Sequence, residues 1–251
     1  TPLNAKAKIR SNLANVDADV LYDKELKILT KTIFPKDSLL REFSKELNLD
    51  ALSPLQADLT MAEKAVHVDI NSKGLTSKVK FDPENKNLDG DLILGGAKFV
   101  FKGNVEKKVT LENRISSLQS LLNQIGTIYA FDLPPLDGDA KISIVLTDMK
   151  DVELKLDSNT LIYKADRKTE HILNDTMISL GFADSILTLN KYHTTFQEQK
   201  IFATKSSVVT LKEGNVEISP LWINDELKVT GRYNIENKKG EILAFADALK
   251  V

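Results

Sequence analysis

The stretch 136–165, LDGDAKISIVLTDMKDVELKLDSNTLIYKA, decides the fold class. Ala140, Ile142, Ile144 and Leu146 alternate with polar neighbours such as Lys141 and Ser143. Val152, Leu154 and Leu156 alternate with Glu153 and Lys155; Ser158-Asn159 then reads as a turn before Leu161 and Tyr163. A strict period of two puts one apolar row on one face of a strand and a charged row on the other. The stretch therefore predicts three short strands in series, oily on one side and wet on the other.

The same unit recurs outward in both directions. The opening 4–28 alternates through Ala5, Ala7 and Ile9, then Val16, Ala18, Val20 and Tyr22, with residues small enough for a thin edge. Farther on, Val66, Val68 and Ile70 lead to Val79 and Phe81, then Leu92 and Leu94, then Phe99 and Phe101. The clusters 71–74 and 83–87 punctuate these runs with turn residues. Strand patterning resumes at Asp137 and continues through 208–211, 216–218, 227–235 and 242–245. Two segments carry helical spacing instead. Leu39, Leu40, Phe43 and Leu47 predict a helix over 38–47 with Asp37 or Ser38 as its cap. Ile115, Leu118, Leu121, Leu122 and Ile125 predict a second, started by Thr110 and stopped by Gly126. The sum is mostly β: about eighteen short strands and two helices. The expected architecture is one repeat-built region over 1–251, an elongated, twisted antiparallel sheet folded into an open groove.

Bulk properties narrow the function. The chain has 251 residues, with 34 basic against 36 acidic side chains and a formal charge of −2. That balance lacks the basic stripe that nucleic acid requires. There is no cysteine, which removes disulfide and thiolate chemistry. No apolar run approaches the ~18 residues of a membrane span, and no signal-peptide core is present. The chain begins at Thr1, so it reads as a processed form or a fragment whose membrane anchor, if the parent has one, lies elsewhere.

Internal repetition is the most specific signal. Segment 38–61 rhymes with 117–142: each runs a helical pattern into an Asp-Leu/Pro-Leu elbow and then a strand. Aligning Pro54 with Pro135 also pairs Leu52 with Leu133, Leu55 with Leu136 and Asp58 with Asp139. Repetition of a strand-turn unit points to a sheet that grows in one direction.

With the helix, the elbow and the meander side by side, the chain from about Ser38 onward resembles the periplasmic parts of the AsmA/TamB superfamily. The phrases that carry the likeness are LDGDLIL (88–94), NVEISPLWINDELKV (215–229) and LKVTGRYNI (227–235). The resemblance implies a curved sheet with an apolar concave face, bridging inner and outer membranes. It implies phospholipid acyl chains as cargo or an outer-membrane assembly protein as partner. It also implies a periplasmic location, with the parent anchored in the inner membrane.

No motif nominates an enzyme, a metal or a cofactor. The triplets 89–91 and 137–139, both Asp-Gly-Asp, read as tight turns and lack the further oxygens of a calcium loop. His67 falls on the polar face beside Asp69, and neither His171 nor His193 has a partner at zinc-site spacing. Trp222, the single tryptophan, reads as a plug at one end of the sheet or as a membrane or partner contact. Lysines such as Lys73, Lys78 and Lys80 read as a solvated face, with headgroup binding as the sharper alternative. The candidate groove residues are Val66, Val68, Ile70, Val79, Phe81, Leu92, Leu94, Phe99 and Phe101, followed by Ile142, Ile144, Leu146, Val152, Leu154, Leu156 and Leu161. Two arrangements fit them. An open trough would shelter acyl chains from water, whereas a closed sandwich would pack them on each other. Scaffolding of outer-membrane proteins by strand addition and a purely structural β-solenoid or adhesin domain are the other classes.

Overall fold

The computed structural model describes residues 2–36, 38, 40, 47–62, 64–129, 135–148, 150–164, 169–184, 186–212, 215–234, 237 and 239–246. The fold is mostly β and antiparallel, and the sheet is open rather than closed on itself. The chain divides into two compact units, Thr1–Pro135 and Leu136–Val251.

The first unit is a meander. Its strands are β1 (Leu3–Arg10), β2 (Asn15–Tyr22), β3 (Leu26–Ile33), β4 (Leu55–Ala62), β5 (Ala65–Asn71), β6 (Leu75–Asp82), β7 (Asn87–Leu94), β8 (Ala97–Asn104) and β9 (Lys108–Ile115). Each pairs antiparallel with the next. Short turns leave no room for a crossover and make sequence neighbours sheet neighbours; the exception in length is the 34–54 connection, across which β3 and β4 still pair. The turn chemistry is explicit between β6 and β7. Asp82 Oδ1 accepts from the backbone of Glu84 at 2.9 Å and of Asn85 at 3.0 Å, and Lys86 takes φ 59°. Asn85 Nδ2 also donates to Asp82 Oδ2 at 2.8 Å, and the Asn85 side-chain bond first, then the two backbone bonds, hold the Asp82 carboxyl below its usual range.

Among the described residues, two helices accompany this sheet. The single turn α1 (Leu49–Leu52) is capped by Asn48, whose side chain accepts from Asp50 and Ala51. The longer α2 (Leu118–Tyr129) buries Leu118, Leu121 and Ile128. It lies across the tips of the β5–β6 and β7–β8 hairpins. Gly95, at φ +58°, has room for no side chain, because a Cβ would stand 2.6 Å from Ser120 O and 2.9 Å from Leu121 Cα. Ser120 Oγ donates to Gly95 O at 2.7 Å, and Asn48 N donates to Ile128 O at 2.6 Å, joining the two helices.

The second unit is also an antiparallel sheet, with long strands at its centre. Its strands are β10 (Leu136–Gly138), β11 (Ala140–Thr147), β12 (Asp151–Lys164), β13 (Glu170–Ala183), β14 (Ile186–Phe196), β15 (Gln199–Ala203), β16 (Ser207–Lys212), β17 (Asn215–Ile223), β18 (Leu227–Asn234) and β19 (Lys239–Ala246). Of these, β12 and β13 have 14 residues each and β14 has 11. β12 pairs with both β10 and β11, and β14 with both β15 and β16. The three-residue β17–β18 connection places Asn224 and Asp225 at φ 53° and 55°, a left-handed pair closed by Glu226 N donating to Ile223 O at 3.2 Å.

Several expectations are corrected. The predicted 38–47 helix lies largely outside the described residues. The second helix starts at Leu118 rather than near Thr110, because Val109, Leu111 and Ile115 alternate and complete β9. Ser117 Oγ, not Thr110, accepts from a first-turn amide, Ser120 N at 3.4 Å. Gly126 lies within the helix, not at its end. The Ser158-Asn159 turn does not form either: β12 runs unbroken for 14 residues. Apolar parity does change there, from Val152, Leu154 and Leu156 to Leu161. The strand absorbs the change at Asn159, opposite Asp175 at φ 49°, the one position where the β12–β13 ladder skips a pair. Asp89-Gly90-Asp91 is likewise no turn but the middle of β7.

Candidate functional site

The register turns scattered alternation into continuous rows. In the first unit, Ala5 stands opposite Val20, Val20 opposite Ile28, Ile28 opposite Leu59 and Leu59 opposite Val68. The same row continues through Val79, Gly90, Phe101 and Leu111. All nine strands contribute to it. Parallel rows run through Met61, Val66, Phe81 and Leu88, and through Ala57, Ile70, Ser77, Leu92 and Phe99. Leu94 pairs with Leu75 and Ala97. Val66, Val68, Ile70, Val79, Phe81, Leu92, Leu94, Phe99 and Phe101 thus share one apolar face.

Burial along that face is graded. Phe99, Phe101, Val109 and Ile115 are buried, whereas Val66, Val68, Ile70, Val79 and Phe81 are half-buried. Toward β1 the cover disappears: Met61 is 46 % exposed, Tyr22 54 % and Leu3 61 %. Every residue of β1 is exposed. The Phe101 ring fills the place of a missing side chain, since a Cβ on Gly90 would stand 2.6 Å from its Cζ and 2.1 Å from Lys78 O. Gly90 serves close approach of a ring and a backbone, and Phe101 is locked by it.

In the second unit, Ile142 pairs with Leu156, Ile144 with Leu154 and Leu146 with Val152. The rows extend to Ile178, Leu180 and Phe182, then to Tyr192, Leu189 and Leu187. Leu161 is only 3 % exposed, but it lies beyond the parity change and pairs with Gly138 and Leu173. A polar band crosses here. Ser158 and Thr176 are buried and paired, and the hydroxyls of Thr176 and Thr194 meet at 2.8 Å.

The opposite face of the first unit carries a charge ladder. Asp69 faces Lys78, Lys78 faces Asp91 and Lys80 faces Asp89, with Lys98 Nζ 2.9 Å from Asp91. Cross-strand opposition of unlike charges supports the pairing, and it accounts for the lysine alternation and for the acidic residues around Gly90. His67 is exposed on this face, opposite Lys80. His171 stacks on Tyr163 at 6.2 Å and meets the edge of Phe196 at 5.7 Å; His193 Nε2 lies 3.6 Å from Asp175.

Trp222 is not a plug in the apolar row. The register of β17 and β18 slips between Ile218 and Leu221, at Pro220, which brings no N–H to a ladder. Leu221 and Ile223 therefore take the apolar parity and Trp222 the other. Its ring lies 3.9 Å from Lys205 Nζ and 5.0 Å from Lys228 Nζ. Tyr192 Oη donates to Trp222 O at 2.6 Å, and burial, with Asp225 nearby, pushes that phenol up and keeps its proton on. Asp225 accepts from Thr204 Oγ1 at 2.6 Å and from its amide at 2.9 Å, which hold its carboxyl below the ordinary range. These bonds fasten the β17–β18 hairpin tip to the 203–206 connection.

Sequence reading passed over part of the apolar faces. Leu55, Ala57, Leu59 and Met61 alternate as clearly as any strand, but the elbow motif drew attention away from them. In β13 and β14 apolar residues occupy both parities (Ile172 and Leu173, Met177 and Ile178), so only the register picks out a face. No protein-family model, no curated protein and no solved structure matches this chain.

Proposed function

We propose that this protein is a non-enzymatic, periplasmic lipid-binding segment that shelters phospholipid acyl chains on its apolar faces, as part of a bridge between two membranes. The observation that carries the reading is the apolar face whose central row runs through nine strands of the first unit, with the large side chains of Leu3, Tyr22 and Met61 left in water in the row beside it. A contiguous uncovered face of this kind is a binding surface or a liability. Acyl chains suit it because they need no hydrogen-bonding partner and slide along a row of methyl and methylene groups. Each methylene removed from water contributes ~0.8 kcal/mol, so a passive surface suffices for capture, and direction comes from other components. The test is uptake of a fluorescent phospholipid from vesicles by the purified chain. Saturable uptake supports the reading; a stable, folded chain that takes up none sinks it.

A second reading is favoured by one observation, the exposed strand β1. Its open backbone would accept a partner strand, as in scaffolding of an outer-membrane protein by strand addition. Proline in β1 would abolish that activity and leave lipid uptake unchanged.

A further inference from the structure

In the second unit β17, β18 and β19 enclose an apolar cleft of about 320 Å³, walled by Val216, Ile218, Leu221, Val229, Tyr233 and Ile242. Its floor is glycine. Gly231 stands between Ile218 and Ile242 in one apolar row, and Gly240 faces Tyr233 in the next. The contrast with Gly90 is informative. There a Cβ would collide with the Phe101 ring, so a neighbour already occupies the gap; at Gly231 a Cβ would meet only Glu241 O at 3.7 Å and Ile242 Cγ1 at 4.0 Å. Sterically, Gly231 could be any β-forming residue, and a strand interior favours one by ~0.5–1 kcal/mol over glycine. Its absence of a side chain leaves a notch.

We propose that this notch seats the terminal ten to twelve or so carbons of one fatty acyl chain, a reading that rests on the acyl-chain binding proposed above. The size agrees: the cleft holds about twice the ~150 Å³ of an apolar cavity that takes one benzene. The lining is almost wholly apolar, and its polar members are Tyr233, Arg232 and Glu241. The bordering charges are engaged in the other row, where Arg232 Nε lies 3.3 Å from Glu217 Oε1 and Arg232 stands opposite Glu241. Tyr233, 45 % exposed, is the one amphipathic wall.

Trp222 is the only tryptophan and faces away from the notch, so the reporter is moved to the notch's side of β17 in a Trp222→Phe, Ile223→Trp variant of the full chain. This reporter chain is titrated with 9,10-dibromostearate while its tryptophan fluorescence is followed, and total binding is counted with radiolabelled palmitate. The expected result is quenching in the reporter chain, at least 10-fold weaker apparent affinity of that quenching when Gly231→Leu is added, and palmitate still bound elsewhere on the variant. Gly231→Ala, with clearance for its methyl, is expected to lose affinity to an intermediate degree and serves if the leucine variant does not fold. Palmitate binding without quenching of the reporter, or quenching unchanged by a folded Gly231 variant, overturns the seat alone. No binding of either fatty acid overturns the seat and the acyl-chain reading together.

Discussion

A carboxylate placed at two points of the same apolar face separates an open surface from a closed core. Met61 stands in the row that includes Val66 and Phe81, and 46 % of it is exposed. Full burial of a methionine contributes ~1.5–3 kcal/mol, so Met61→Asp forfeits roughly half of that, about 1 kcal/mol, and its charge stays hydrated. Phe101 is 8 % exposed and held over Gly90. Phe101→Asp loses the ~3–5 kcal/mol of a Phe→Ala truncation and adds an unpaired buried charge, a total comparable with the whole stability of a domain, ~5–15 kcal/mol. Phe101 is buried, so a charge there tests the packing, and Met61, left in water, is the position that tests the surface. In urea titrations followed by circular dichroism, Met61→Asp is expected to unfold close to wild type and Phe101→Asp to be largely unfolded without denaturant. Phospholipid uptake by Met61→Asp should fall about 30-fold, the equivalent of two or three methylenes at ~0.8 kcal/mol displaced by a hydrated carboxylate. If Met61→Asp loses 3 kcal/mol or more, the face is covered. If it stays folded with undiminished uptake, acyl chains do not lie along that row.

Three further outcomes test the packing. Gly90→Ala should destabilise by about 1–3 kcal/mol in the same titration, because Lys78 O cannot move aside as a side chain would; a neutral or stabilising result refutes the close approach. Tyr192→Phe removes a half-buried bond of 2.6 Å and should cost about 1 kcal/mol; no change in midpoint would show that the hairpin tip is held by other contacts. Asp225 has a lowered folded-state pKa, so its contribution is present above the unfolded aspartate value near ~3.9 and is lost as pH falls through the lowered one. Amide exchange at Thr204 and Lys205 should therefore accelerate below about pH 4 in excess of the intrinsic trend, and in Asp225→Ala it should be fast at every pH.

The class of fold was legible because a period of two is local: Val66, Val68 and Ile70 announce β5 without reference to any other strand. Register was also largely legible, since turns such as 83–86 force neighbours to pair. What the sequence hid are events whose cause lies on the neighbouring strand. Gly90 reads as a turn glycine until Phe101 is placed above it. Asn159 reads as a turn because apolar parity changes there, and only the β13 partner, with Asp175 in a left-handed conformation, shows how a continuous strand absorbs the change. Trp222 reads as an apolar plug because the slip at Pro220 that reverses its face is a property of the β17–β18 pair. The candidate residues between Val66 and Phe101 are legible by alternation, as are Leu26, Ile28, Leu59 and Met61, and register joins all of them into the same rows.

The central claim, that the apolar faces hold acyl chains, is tested most directly by native mass spectrometry with lipid extraction on the chain purified from a diderm host. The account predicts phospholipid co-purifying at a definite stoichiometry and released by detergent. A clean apo mass from folded protein, with no uptake when lipid is supplied, would contradict it.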